Sequence, residues 1–110
     1  MSQDEISSFR RSVEILNGLG LHLRPAEKFV RLASRFRSDI RVTRQGTDAS
    51  GEVVDGKSIL SLAMLAAERG TQLEVEARGP DAEEALTALV ALISARFYED
   101  DDGQSVEHSL

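Results

Sequence analysis

The chain has 110 residues, enough for one domain with a modest hydrophobic core. With 41% hydrophobic and 29% charged residues it reads as an ordinary globular protein, which excludes fibrous and grossly disordered classes. It has no cysteine and no apolar run that fits a membrane span or a signal peptide, so we expect a cytoplasmic protein without disulfides or thiolate metal sites.

The net charge of −6 is concentrated at one end of the chain. Five acids, and no lysine or arginine, lie in the last twelve residues. The near-neutral remainder gives no electrostatic reason to expect a nucleic-acid partner. We therefore expect a flexible N-terminal arm over residues 1–11, a folded domain over 12–98 and an acidic disordered tail over 99–110.

The spacing of apolar residues predicts seven elements in the order strand, helix, strand, strand, helix, strand, helix. Each strand has one apolar face, which indicates a half-covered sheet with all helices on one side, an open-faced α+β sandwich. The predicted strands span 12–16, 40–43, 52–54 and 72–77, and the predicted helices span 23–37, 59–69 and 82–97.

Local patterns mark several ends of these elements. Gly70 is placed to cap the end of the second helix, and Asp81 followed by Glu84 resembles a capping box at the start of the third. The two glycines of Asn17-Gly18-Leu19-Gly20 allow a sharp turn, and they also allow a partner or a phosphate to come near the backbone.

The candidate chemistry lies at the start of the first helix, in Gly20-Leu21-His22-Leu23-Arg24-Pro25. Because proline is favoured in the first turn of a helix, we expect His22 at or next to the N-cap. The free backbone N–H groups of Leu23 and Arg24 would then form an anion site, and the Arg24 guanidinium matches phosphate oxygens. Imidazole offers a neutral nitrogen nucleophile near neutral pH. The ordinary alternative is a surface histidine or a simple cap.

The sequence contains few residues that could form any other catalytic or cofactor-binding site. The second histidine, His108, lies in the predicted tail, so we expect no metal site and no cofactor. Gly56-Lys57-Ser58 resembles only the end of a nucleotide-binding loop, without the upstream glycine. The second helix is apolar around much of its circumference, which predicts either an exposed docking patch or a crowded core.

Two segments together resemble the HPr family, the histidine-containing phosphocarriers of the phosphoenolpyruvate-dependent phosphotransferase system. GLHLRPAEKFV is similar to the family's active-site region, and DGKSILSLAML to the segment with its regulatory serine and second helix. The resemblance covers about 12–97 and extends to the final helix, GPDAEEALTALVALI. When the segment that precedes the histidine, residues 17–20, is included, the sequence resembles the nitrogen-related branch of the family somewhat more than the sugar-transport branch. It implies a four-stranded antiparallel sheet covered on one face by three helices (βαββαβα).

By this resemblance the protein is a monomeric phosphocarrier rather than an enzyme. His22 receives a phosphoryl group on Nδ1 from enzyme I, with phosphoenolpyruvate as the source, and passes it to an EIIA-type acceptor for sugar transport or regulation. Arg24 matches the arginine that contacts the phosphoryl group. Ser58 matches the serine that HPr kinase/phosphorylase modifies in some bacteria. The family's docking patch falls at Ile59, Leu60 and Ala63.

The chain departs from the family pattern beside the site. Leu23 replaces a small residue or threonine, and Glu27 replaces a small or apolar residue, so we expect both to influence partner choice. The loop over 44–51 is longer than usual. An alternative function is a regulatory binding module controlled by phosphorylation of Ser58, although a serine at this position is also a good N-cap on ordinary grounds.

Overall fold

The computed structural model describes residues 7–45 and 52–99. Within these ranges the elements follow the predicted order, and the last helix leads into a single helical turn that we call the C-terminal turn. The elements are β1 (Ser8–Glu14), α1 (Leu23–Ala33), β2 (Asp39–Arg44), β3 (Val53–Asp55), α2 (Ile59–Met64), β4 (Gln72–Arg78), α3 (Ala82–Ser94) and the C-terminal turn (Arg96–Tyr98).

The four strands form one sheet in the order β1-β4-β2-β3, and every neighbouring pair is antiparallel. One face of the sheet is apolar because alternate residues of each long strand point to the same side. On the other face, Arg10 lies 3.6 Å from the carboxylate of Glu76 across the β1–β4 pair. The buried face of the two central strands consists of Ile40, Val42, Leu73, Val75 and Ala77.

The helices close the core over the apolar face of the sheet. In α1 the buried apolar residues Ala26, Phe29 and Ala33 recur at helical spacing, and α1 contacts both α2 and α3. α3 packs on β1 and β4. α2 is peripheral, and Leu62 is its buried residue. The open-faced sandwich with three helices on one side is thus confirmed.

β1 begins at Ser8, four residues before the predicted start. Residues 8–11 pair with Val75–Arg78 of β4, so this part of the predicted arm lies in the sheet and the predicted domain boundary is wrong there. This stretch lies in an edge strand and is largely exposed, so its side chains are mostly polar. The apolar alternation that predicts a strand is therefore missing here. Residues 1–6 lie outside the described ranges, as does most of the loop over 44–51.

α1 and α2 are both shorter than predicted. α1 ends at Ala33 because the next turn tightens: the Phe36 N–H donates to the Ala33 carbonyl, three residues back. α2 ends at Met64, before Ala66 adopts a left-handed conformation with φ of 52°. Gly70 has φ of 92°, but it lies in the turn before β4 and does not cap α2.

α3 begins at Ala82 as predicted, with Asp81 at its N-cap, and it ends at Ser94 rather than near 97. The capping-box expectation is wrong, because the Asp81 carboxylate makes no capping hydrogen bond. It instead accepts hydrogen bonds from the backbone N–H groups of Arg37 and Ser38, each at 2.9 Å, and from the Ser38 hydroxyl at 2.6 Å. Asp81 therefore ties the loop after α1 to the start of α3.

None of the helices in the described ranges is both long enough and apolar enough to cross a bilayer.

Candidate functional site

His22 is the N-cap of α1, as predicted. Its backbone is extended, with φ of −84° and ψ of −171°, and its carbonyl accepts the first helical hydrogen bond from Ala26 at 3.0 Å. Its side chain makes no capping hydrogen bond. The N–H groups of Leu23 and Arg24 precede the first helical donor, so they have no acceptor within the helix, and Pro25 has no N–H to satisfy. An anion at this helix end would meet both donors.

The loop before His22 is built by Asn17 and Gly20. The Asn17 side-chain amide donates to the Gly20 carbonyl at 2.7 Å, and the Gly20 N–H donates to the Asn17 carbonyl at 3.1 Å. Gly20 has φ of 74°, and a Cβ there would lie 2.5 Å from the carbonyl oxygen of Ala67. Gly20 is therefore needed for close packing against the chain after α2.

The imidazole of His22 faces a buried carboxylate. Its Nε2 lies 3.2 Å from both oxygens of Glu99, whose side chain has no exposed surface, whereas the His22 side chain is 34% exposed. The Asn17 side-chain amide donates a second hydrogen bond to Glu99 Oε1, at 3.0 Å. The structure thus groups three residues from the two ends of the described chain.

Glu99 was predicted to begin the disordered tail, and that boundary is wrong. Local sequence could not reveal its burial, because Glu99 opens an acidic run and its partners lie 82 and 77 positions away. Asn17 was likewise interpreted only as part of a turn. Residues 100–110 lie outside the described ranges, and so does His108.

The C-terminal turn brings Glu99 to the histidine. Arg96, Phe97 and Tyr98 all have positive φ, between 53° and 60°, and none of them is glycine. Such a conformation costs about 1–2 kcal/mol per residue. The turn is held by Phe97, whose side chain is fully buried and whose carbonyl accepts a hydrogen bond from Lys28 Nζ at 2.7 Å. The backbone N–H of Glu99 donates to the Arg96 carbonyl at 3.0 Å.

The predicted residues beside His22 lie on the surface. Leu23 is 59% exposed and Arg24 is exposed in the first turn of α1. Glu27 is also exposed, but it lies in the second turn, where its carboxylate accepts from Arg31 at 2.9 Å. Its charge is therefore paired within the helix.

Ser58 is the N-cap of α2. Its hydroxyl oxygen accepts from the Ser61 N–H at 3.2 Å, and the hydroxyl donates to the Ser61 hydroxyl at 3.0 Å. These contacts satisfy the capping role expected on ordinary grounds. Whether Ser58 is also a modification site stays a prediction.

The helix after Ser58 exposes apolar side chains. Leu60 is 70% exposed and Met64 is 80% exposed, with Ile59 at 37% and Ala63 only partly buried. We call Ile59, Leu60 and Met64 the apolar face of α2. Met64 was missed as a surface residue, because a helix that is apolar all round does not reveal which of its sides is covered.

Within 7–45 and 52–99 no three acidic or histidine side chains are grouped so that they could hold a metal ion. The polar groups at His22 are a carboxylate, a side-chain amide and free backbone donors. This arrangement can orient an imidazole and hold an anion beside it.

Comparisons with known proteins identify the family to which the chain is similar. A family model described as the PTS HPr component phosphorylation site matches residues 9–95. The phosphocarrier protein HPr of Neisseria meningitidis serogroup A is 46% identical over 90 residues, which cover 82% of this chain and 96% of the relative. The phosphocarrier protein NPr of Escherichia coli is 41% identical over 92 residues, which cover 83% and 97%.

A solved structure shows the same fold. The crystal structure of HPr-C-His from Thermoanaerobacter tengcongensis superposes with a TM-score of 0.74 at 40% sequence identity, and the match covers 84% of this chain and 98% of the other. The family match spans both His22 at the start of α1 and Ser58 at the start of α2. The chain therefore belongs to the HPr family, the phosphocarrier proteins of the phosphotransferase system.

Proposed function

We propose that this protein accepts a phosphoryl group on Nδ1 of His22 from phosphorylated enzyme I and passes it to an EIIA-type acceptor. The observation that carries the proposal is that the two nitrogens of the imidazole ring have different surroundings. Nε2 faces the Glu99 carboxylate, while Nδ1 has no partner among the described residues. One nitrogen is thus held by the protein, and the other is available as the nucleophile.

The surroundings of His22 suit a phosphoryl group that stays only briefly. The N–H groups of Leu23 and Arg24 and the dipole of α1 favour an anion at this end of the helix. Arg24 adds a permanent charge in the first turn, and its exposure lets it follow the phosphoryl group. A partly exposed histidine can meet a donor and then an acceptor without a lid.

Incubation with enzyme I and phosphoenolpyruvate tests the proposal. We expect the protein to gain a phosphate that is labile in acid and stable in alkali, and His22→Ala to take up none. His108→Gln is the matched control, because it alters the other histidine and should be labelled like the wild type. Labelling of His22→Ala, or its loss in His108→Gln, would contradict the proposal.

The proposal extends to partners and location. A carrier between enzyme I and an EIIA-type protein would work in the cytoplasm as a monomer, and the apolar face of α2 would dock both proteins in turn. Leu23, which is 59% exposed beside the histidine, would contact the same partners. Exchange of the phosphoryl group with purified EIIA-type proteins, compared one by one, would identify the acceptor.

A second candidate function is regulation through Ser58, and the position of this residue favours it. Ser58 immediately precedes the apolar face of α2, so a phosphate there would add about −1.5 to −2 charges beside a docking surface. HPr kinase/phosphorylase would be the modifying enzyme. Partner binding that survives His22→Ala but is lost in Ser58→Asp would support this function as the main one. An affinity for the partner that is unchanged in Ser58→Asp would contradict this function.

A further inference from the structure

We propose that Glu99, held by Asn17, is a positioning residue that fixes the tautomer of His22 and so makes Nδ1 the phosphoryl acceptor. This inference rests on the proposed carrier function and adds a role for the residue that follows the C-terminal turn. The juxtaposition behind it is a fully buried carboxylate at 3.2 Å from Nε2 of a partly exposed histidine.

The carboxylate selects one of the two neutral forms of the imidazole. With the proton on Nε2, the ring donates to Glu99, and the Nδ1 lone pair is directed away from the carboxylate. With the proton on Nδ1, the Nε2 lone pair would face two carboxylate oxygens at 3.2 Å, and the electrostatic interaction would be repulsive. The second form is therefore disfavoured. The partner of one ring nitrogen decides the protonation of the other.

Asn17 fixes the orientation of the carboxylate. Its side-chain amide donates both to the Gly20 carbonyl at 2.7 Å and to Glu99 Oε1 at 3.0 Å. Because a backbone carbonyl can only accept, the Gly20 contact requires the NH₂ group of Asn17 to lie on this side. Asn17 thus offers a donor to position 99 whatever residue stands there.

The backbone that leads to Glu99 is strained, and this strained turn places Glu99 beside His22. Three successive residues, Arg96, Phe97 and Tyr98, adopt positive φ without glycine. Strained conformations persist where the surroundings hold them, and they cluster at functional sites. Here the buried Phe97 anchors the turn, and Glu99 is the residue that the turn delivers to His22.

The tautomer lets phosphoryl transfer proceed without moving the Nε2 proton. The Nδ1 lone pair attacks phosphorus and forms the P–N bond, while the bond from phosphorus to the donor breaks and its electrons stay with the donor. The ring becomes a phosphoimidazolium that keeps its Nε2 proton, and the Glu99 carboxylate compensates the positive charge. When an acceptor attacks, the P–N bond breaks and its electrons return to Nδ1, which restores the starting tautomer.

Nitrogen-15 NMR of the histidine side chain tests the assignment on the full-length, unphosphorylated protein at a pH where imidazole is neutral. In the wild type we expect a pyrrole-type Nε2 and a pyridine-type Nδ1. In Glu99→Gln the side-chain oxygen should face the Asn17 donor, so its NH₂ group would face His22 and shift the ring towards the Nδ1–H form. His22→Ala assigns the His22 signals against those of His108.

Phosphorylation rates supply the second measurement. Glu99→Gln should accept a phosphoryl group from enzyme I at least about tenfold more slowly, because a protonated Nδ1 is no nucleophile. Glu99→Asp keeps the charge, so it should retain the Nε2–H form and recover much of the rate. Glu83→Gln makes the same charge change at an exposed site in the first turn of α3, and should match the wild type in both measurements.

Two results would overturn the inference: an unchanged tautomer in Glu99→Gln, or a rate loss in Glu99→Asp as large as that in Glu99→Gln although Glu99→Asp keeps the Nε2–H form. If Glu99→Gln does not fold, Asn17→Ala replaces it, because loss of the anchoring amide should weaken the same preference. A wild type that takes up no phosphate would overturn the carrier function instead, and the spectra of the unphosphorylated proteins would still decide the role of Glu99.

Discussion

The backbone N–H of Leu21 donates to the carbonyl of Ala67 at 2.8 Å. This hydrogen bond joins the loop before His22 to the segment after α2, although the two lie far apart in sequence. The adjacent Gly20 allows the loop before His22 to approach the segment after α2, because a side chain at this position would collide with Ala67 and with Glu68. The loop that leads to the candidate phosphorylation site is therefore attached to the chain that follows the apolar face of α2.

Substitution of Gly20 should be costly in stability. Gly20→Ala would place a Cβ 2.5 Å from the Ala67 carbonyl oxygen at a φ of 74°, and we expect a loss of about 3 kcal/mol in the free energy of unfolding. Gly70→Ala is the control, because Gly70 has φ of 92° but open space around it, and should lose about 1 kcal/mol. Urea denaturation measures both, and equal losses would show that the close approach is unimportant.

Arg24 should affect the rate of phosphorylation and leave stability unchanged. Because its side chain is exposed, Arg24→Ala should alter the free energy of unfolding by less than about 0.5 kcal/mol. The rate of phosphoryl uptake from enzyme I should fall about tenfold, with a smaller loss for Arg24→Lys, which keeps the charge. Rapid-quench labelling provides the rates. Arg31→Ala removes an exposed arginine that pairs with Glu27, and a rate as low as that of Arg24→Ala would refute the role.

The apolar face of α2 should carry partner binding. Leu60→Glu and Met64→Glu place a charge on residues that are 70% and 80% exposed, so the fold should tolerate them. We expect each to weaken binding of enzyme I about tenfold by calorimetry, because a charge would have to be desolvated in the interface.

Val53→Glu is the control for these two variants. Val53 is 56% exposed and is paired with Thr43, one residue along from the buried Val42. Successive residues of a strand point to opposite faces, so Val53 lies on the side of the sheet away from the helices. Its substitution should leave the affinity unchanged, and a similar loss in all three variants would argue against docking through α2.

Asp81 should make stability depend on pH in the acid range. The Ser38 hydroxyl, followed by the backbone N–H of Arg37, lowers the pKa of Asp81 below its ordinary value of 3.8, while partial desolvation opposes the shift. A depressed pKa stabilises the folded state above the unfolded pKa, and this stability is lost as the pH falls through the folded pKa. Denaturation from neutral pH downwards should show Asp81→Asn less stable than the wild type, with the difference shrinking below about pH 4.

Ser38→Ala offers a check on the cause. It removes the shortest hydrogen bond to the carboxylate and so raises the folded pKa of Asp81 towards the unfolded value. The acid-dependent loss of stability should therefore be smaller than in the wild type and should be complete at a higher pH. An unchanged profile would mean that the Ser38 hydroxyl does not lower the pKa of Asp81.

The element order and the position of His22 could be predicted because both depend on local patterns. Alternation fixed the buried faces of β2 and β4, and Pro25 in the first turn fixed the start of α1. Ser58 before an apolar helix was recognisable as a cap for the same reason. Each of these features is decided within a few residues of chain.

The features that could not be predicted depend on distant contacts. The Asp81 side chain is turned from its own helix by Arg37 and Ser38, and α2 stops early where Ala67 meets Leu21. Glu99 is the clearest case. Its own sequence resembles an acidic tail, and only the fold shows that the chain reaches His22 through three left-handed residues without a glycine.

The antiparallel arrangement of β1 and β4 also has a kinetic consequence. Ser8 pairs with Arg78, and Glu99 meets His22 only beyond α3, so the contacts around the histidine close very long loops of chain. Folds that depend on such distant pairings form slowly, because the loop entropy is lost before the contacts are gained. During synthesis, His22 is made early, but its carboxylate partner emerges after all four strands and α3. A nascent chain therefore carries the histidine for most of its translation without the environment that the finished domain gives it.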